Sequence, residues 1–137
     1  MILYKAISFV ISICLLITSC TTTSIVSIDQ NYSENNSENA VAINGHSIRE
    51  NILVLDVTYK GCKRDTIQLI TNGMYKKTNP PSIILVLNHK TSGEQCDKSI
   101  SKILKFDISN LMLENTEQEN TLMLNIENYP STIKYVY

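Results

Sequence analysis

The sequence predicts an all-β domain: an antiparallel two-sheet sandwich of six to seven strands, with a small barrel as the alternative. Three observations predict it. Apolar residues over 41–137 alternate, or come in bursts of strand length. No stretch longer than about ten residues carries a 3.6-residue period. The four glycines, Gly45, Gly61, Gly73 and Gly93, each follow a polar or turn-favouring residue and punctuate those bursts.

The elements follow in order. Asn44-Gly45 and Asn72-Gly73 read as hairpin turns, because both residue types tolerate positive φ. Leu53, Leu55, Val57 and Tyr59 share one face of a strand, with Asp56 and Thr58 on the other. Residues 66–70 form a second strand. Asn79-Pro80-Pro81 is extended and cannot donate to a ladder, so it introduces the strand at 82–88. That run, SIILVLN, is continuously apolar over 83–87 and suits a central strand buried on both faces. Leu104, Phe106 and Ile108 alternate with polar neighbours. Residues 109–114 have room for one helical turn, and 115–120 (NTEQEN) form a polar loop. Leu122, Leu124 and Ile126 make another strand, and Ile133, Tyr135 and Tyr137 carry the alternation to the last residue.

Ahead of this domain lie two segments of different character. Lys5 precedes an apolar run at 6–17 (AISFVISICLLI). Twelve helical residues rise about 18 Å, too little for a hydrocarbon core of roughly 30 Å, so the run reads as a secretory signal and not a span. Residues 21–40 hold eleven Ser, Thr or Asn and three charges, Asp29, Glu34 and Glu38. Such a composition buries too little apolar surface to offset its ordering entropy and reads as a flexible tether of roughly 25 Å. Ile25, Val26 and Ile28 are its one apolar patch. The expected organisation is therefore a signal peptide at 1–19, a tether at 20–40 and the β-sandwich at 41–137.

Ile17-Thr18-Ser19-Cys20 resembles the lipobox of bacterial lipoproteins: aliphatic, small, small, then cysteine. The resemblance implies cleavage before Cys20 and attachment of diacylglyceryl to its sulfur, with further acylation by a fatty acid such as palmitate. Two or three acyl chains anchor firmly where one is marginal. Removal of 1–19 takes Lys5 and leaves 11 basic against 13 acidic side chains. Thr21, not Asp, follows the lipidated position, which by enteric sorting rules implies an outer membrane where the host has one.

With Cys14 in the signal and Cys20 on lipid, Cys62 and Cys96 remain in an oxidising compartment, where one disulfide is the expectation. The alternative is a metal site made of Cys62, Asp65, His89 and Cys96, ligands of suitable type for zinc. The segment 61–111 loosely resembles small secreted bacterial β-domains without an assigned activity. The shared features are the Gly61-Cys62 pair, Pro81 before a strand ending in His89, then Cys96, then Leu104, Phe106, Asp107, Ser109 and Leu111. In them the position of Asp65 is often His, which favours the metal alternative slightly.

Composition excludes several classes. The net charge of −1 offers no basic field for nucleic acid. Glycines this far apart make neither a dinucleotide nor a Walker-type phosphate loop. Glu114, Glu117 and Glu119 lack the EF-hand pattern, and neither His46 nor His89 sits in a hydrolase motif. His46 reads as a turn residue. Lys60, Lys63, Arg64, Lys76 and Lys77 read as a solvated strand edge. The expectation is a non-enzymatic binding or structural module without cofactor, anchored in the cell envelope. Its partners would be the membrane, through lipid, and an envelope protein or glycan, with no nucleic acid. A metal-binding lipoprotein and an inhibitor of an envelope-degrading hydrolase are the alternatives.

Overall fold

The computed structural model describes residues 21–32, 40–114 and 120–137. The signal, the lipobox and Cys20 lie outside the described residues. Ten strands are formed among them: β1 (Thr23–Ile25), β2 (Ser27–Ile28), β3 (Ala42–Arg49), β4 (Ile52–Gly61), β5 (Thr66–Thr71), β6 (Tyr75–Lys76), β7 (Ser82–Lys90), β8 (Lys98–Asp107), β9 (Thr121–Ile126) and β10 (Thr132–Val136). Two sheets result, in the orders β1-β8-β4-β3 and β10-β9-β7-β5-β2, with β6 paired to β7. The β-sandwich is thus the architecture, and the described strands close no barrel.

Period-two alternation places the core. Leu53, Leu55, Val57 and Tyr59 of β4 and Phe106 of β8 face inward from the first sheet. Leu69, Ile83, Leu85, Leu122, Leu124, Ile133 and Tyr135 meet them from the second. The apolar run predicted as central is β7, third in its sheet, with Ser82, Ile83, Leu85, Val86 and Leu87 buried. The short helical turn is a 3-10 turn, Ser109–Leu111, whose Leu111 is buried.

Three expectations are corrected. The sheets are mixed and not purely antiparallel: β1–β8, β2–β5 and β7–β9 pair parallel. Tight hairpins force antiparallel pairing, as in β3–β4 and β9–β10. A chain that leaves for the other sheet between two strands has no such constraint, and β8 lies in the first sheet between β7 and β9 of the second. Next, Asn44-Gly45 is not the hairpin turn. It lies within β3 at a register shift, and the turn is at Glu50, whose φ is 52°. Lastly, part of the expected tether is packed. Ile25 and Ile28 belong to β1 and β2, one in each sheet, and Val26 between them is 2% exposed. The Val26 N–H donates to the Asp107 carbonyl at 3.2 Å, and Asn110 Nδ2 donates to the Val26 carbonyl at 2.8 Å. Burial of one valine with both backbone groups satisfied outweighs the polar bias of its neighbours.

Candidate functional site

Two crossovers between the sheets lie at one end of the sandwich. The chain passes from β4 to β5 through residues 62–65, and from β7 to β8 through 91–97. The structure joins these crossovers by a Cys62–Cys96 disulfide with Cα atoms 5.1 Å apart. Cys62 is buried and Cys96 half-buried.

Asp65 organises the same end. Its Oδ2 accepts the Cys62 N–H at 2.9 Å and lies 2.8 Å from His89 Nε2. Its Oδ1 accepts the Ser92 N–H at 2.8 Å. One carboxylate therefore holds both crossovers and the end of β7. Asp65 and His89 side chains are each 1% exposed. The backbone donors of Cys62 and then Ser92 hold the Asp65 carboxyl well below its ordinary range, outweighing the opposing effect of burial. The ionised carboxylate fixes His89 with its proton on Nε2 as donor. His89 Nδ1 is buried without a hydrogen-bond partner among the described residues.

The surroundings lock this geometry. Tyr59 packs against the His89 ring with centroids 4.8 Å apart, and its hydroxyl donates to the Cys62 carbonyl at 3.1 Å. Lys102 Nζ donates to the carbonyls of Lys63 at 2.8 Å and Asp65 at 3.1 Å, and stands 5.5 Å from the Tyr59 ring centre. Gly61 is required by space: a Cβ there would collide with Asp65 Oδ2 and come within 3.1 Å of His89 Cε1. The Gly61-Cys62 pair thus has a physical cause.

All four residues of the alternative metal set meet here, but their donors are engaged with one another. The two cysteines share a bond and offer no thiolate, and the Asp65 carboxylate is filled by three N–H groups. A Glu94 carboxylate oxygen and the two sulfurs lie within 4.8 Å of one another, a trio the sequence reading did not include. It too lacks thiolates while the bond stands. In a hydrolytic relay the carboxylate orients one imidazole nitrogen while the other faces a nucleophile. Here the second nitrogen is buried and meets no hydrogen-bonding group among the described residues. The contacts of Asp65 tie the two crossovers and the end of β7 together.

Sequence reasoning passed over Tyr59, Ser92 and Lys102 as members of this cluster. Tyr59 carried a signal as a residue of a strand's apolar face and Ser92-Gly93 as a turn, while Lys102 carried none. His46 is not a turn residue. It lies in β3 with Nδ1 2.7 Å from the Tyr129 hydroxyl, the two rings edge to face, linking β3 to the β9–β10 turn.

The Asp65 clamp makes stability depend on acid. Its proton affinity is lower folded than at the ordinary pKa of 3.8. The carboxylate therefore stabilises the fold fully above the unfolded value and loses that contribution as pH falls toward the folded one. Urea midpoints measured from neutral pH into strong acid should fall more steeply for the wild type than for Asp65→Asn, which starts lower. Parallel profiles would show that the charge contributes nothing.

No family profile and no curated protein sequence matches the chain. Solved structures do. A Parabacteroides distasonis protein named "Putative TOXIN related protein" superposes with a TM-score of 0.51 at 17% identity, over 85% of this chain and 60% of that one. A Bacteroides fragilis protein named "Putative lipoprotein" superposes with a TM-score of 0.50 at 14% identity, over 84% of this chain and 69% of the other. This chain therefore spans about three fifths of the first neighbour's length, and what it shares with both is the fold.

Proposed function

We propose that the protein is a cell-envelope lipoprotein, anchored by acyl chains on Cys20, whose β-sandwich serves as a non-enzymatic binding or structural module. In a host with two membranes the anchor lies in the outer one. The observation that carries this reading is the apolar run at 6–17 closed by Ile17-Thr18-Ser19-Cys20, just ahead of a sandwich that begins at Thr23. The name of the Bacteroides fragilis neighbour supports it at the level of fold. The stapled crossovers support a rigid extracytoplasmic module, because a covalent tie of this kind persists where thiols are oxidised. The module's partner would be an envelope protein or glycan.

Expression with labelled palmitate tests the anchor. The wild type should take up label and fractionate with membranes, and Cys20→Ala should do neither. A Cys20→Ala protein that fractionates as the wild type does would remove the reading.

A further inference from the structure

The outer face of the first sheet carries a groove of about 480 Å³ lined by Thr23 of β1, Ser47 and Arg49 of β3, Ile52 and Val54 of β4, and Lys105 of β8. Register explains the grouping. Lys105 pairs with both Thr23 and Val54, and Ser47 pairs with Val54, so one row runs across all four strands. The next row is Ile25, Asp107, Ile52 and Arg49. Residues directly paired across a sheet share a face. The core lies on the opposite side, with Leu53 and Leu55 fully buried.

Two cations therefore flank an apolar floor, and among the described residues no acid lines the groove itself. Among the described strand residues, the acids of this face are Asp107 and Asp56. Asp107 is turned to the Ser109 N–H, which it accepts at 2.9 Å, and Asp56 lies in the row of Ile103. Ile25 and Ile103 stand 66% and 52% exposed on either side of Lys105, on β1 and on β8. An apolar floor with protruding isoleucines and a pair of cations is the chemistry of a surface that meets anionic headgroups.

Chain length says where that surface stands. Thr23 is already paired in the sheet, three residues after Cys20. Three extended residues span at most about 11 Å. If Cys20 carries the acyl chains, the groove edge formed by Thr23 cannot be farther than that from the lipid-bearing residue. A spacer of the expected twenty residues does not exist on that side of the domain.

Resting on the Cys20 reading above, we propose that this groove is a docking site for the anionic phospholipid headgroups of the membrane that holds the anchor. The domain lies against the bilayer with its first sheet turned to the lipid. The disulfide-stapled end and the second sheet remain for other partners.

The chain contains no tryptophan, so Ser47→Trp places one emitter in the groove. The lipidated protein is reconstituted into phosphatidylcholine vesicles with and without phosphatidylglycerol, each doped with headgroup-spin-labelled lipid as quencher. Quenching should be strong with phosphatidylglycerol and weak without it. Arg49→Gln and Lys105→Gln should each lower the docked-to-undocked ratio about fivefold, while the protein still sediments with the vesicles. Quenching that ignores both phosphatidylglycerol and the substitutions, or its absence in protein that sediments, overturns the docking and leaves the anchor intact. Protein that carries no lipid by mass and does not sediment removes the Cys20 reading, and the docking falls with it.

Discussion

Reduction of the Cys62–Cys96 bond, or its removal by Cys96→Ser, is expected to cost the domain about 4 kcal/mol. The two cysteines are 34 residues apart in sequence. Closing a loop of that length restricts the unfolded chain by roughly that amount on the chain-entropy view. The bond also joins the two crossovers that carry the chain between sheets, so it limits how far the sheets separate before global unfolding. A loss of this size is a large share of the 5–15 kcal/mol typical of a domain. Urea denaturation with and without a dithiol reductant measures it. Reduced wild type and Cys96→Ser should shift to nearly the same midpoint, because each loses the same constraint. Equal midpoints for oxidised and fully reduced wild type, with thiols counted, would show that Asp65 and the sheet ladders hold the crossovers without help. The Asp65 contacts to Cys62, Ser92 and His89 do not use sulfur, so the reduced protein should still fold at neutral pH.

The fate of particular residues shows how far sequence reaches for this fold. Leu53 to Tyr59, Leu122 to Ile126 and Ile133 to Tyr135 were readable as strands, because one buried face imposes alternation that survives any topology, and the 82–88 run was readable as a short apolar burst buried on both faces. Sheet order was not readable. Whether β9 lies beside β7 or beside β8 depends on long-range packing that leaves no local mark. Asn44-Gly45 misled because the same dipeptide suits a bulge as well as a turn, and β3 continues through it. The stretch around Val26 misled because composition averages over twenty residues while a single buried valine decides the pairing. At the candidate site, Cys62, Asp65, His89 and Cys96 could be grouped as donors from residue type alone. Their partition into a covalent bond and a hydrogen-bonded pair could not. It depends on backbone donors at Cys62 and Ser92 whose positions only the folded crossovers set.

A chain ending at residue 133 is expected not to fold. The deleted segment holds most of β10, whose Lys134, Tyr135 and Val136 pair with Met123, Leu122 and Thr121 of β9. Tyr135 is fully buried and heads the large side chains of the core. Losing a core aromatic alone costs about 3–5 kcal/mol, and here the ladder goes with it. The Tyr135 hydroxyl donates to Asn51 Oδ1 at 2.8 Å, and the Asn51 carbonyl in turn accepts the Ile108 N–H at 2.9 Å. The last strand thus fastens the β3–β4 turn and the end of β8, both in the opposite sheet. Tyr137 adds a further tie, its N–H donating to the Asn120 carbonyl and its hydroxyl accepting the Leu113 N–H, each at 2.9 Å. Together these losses exceed what a domain of this size holds in reserve. Two point variants separate packing from bonding. Tyr135→Ala should lose about 3–5 kcal/mol, whereas Tyr135→Phe keeps the ring and should lose about 1 kcal/mol with the hydroxyl. That hydroxyl is neutral at physiological pH, since burial pushes the Tyr135 phenol up to about 12, so Phe removes a dipole and no charge. Far-ultraviolet circular dichroism and urea midpoints of the three proteins decide the matter. A truncated chain with the wild-type midpoint would mean that β9 is a sufficient edge and that the Tyr135–Asn51 tie holds nothing.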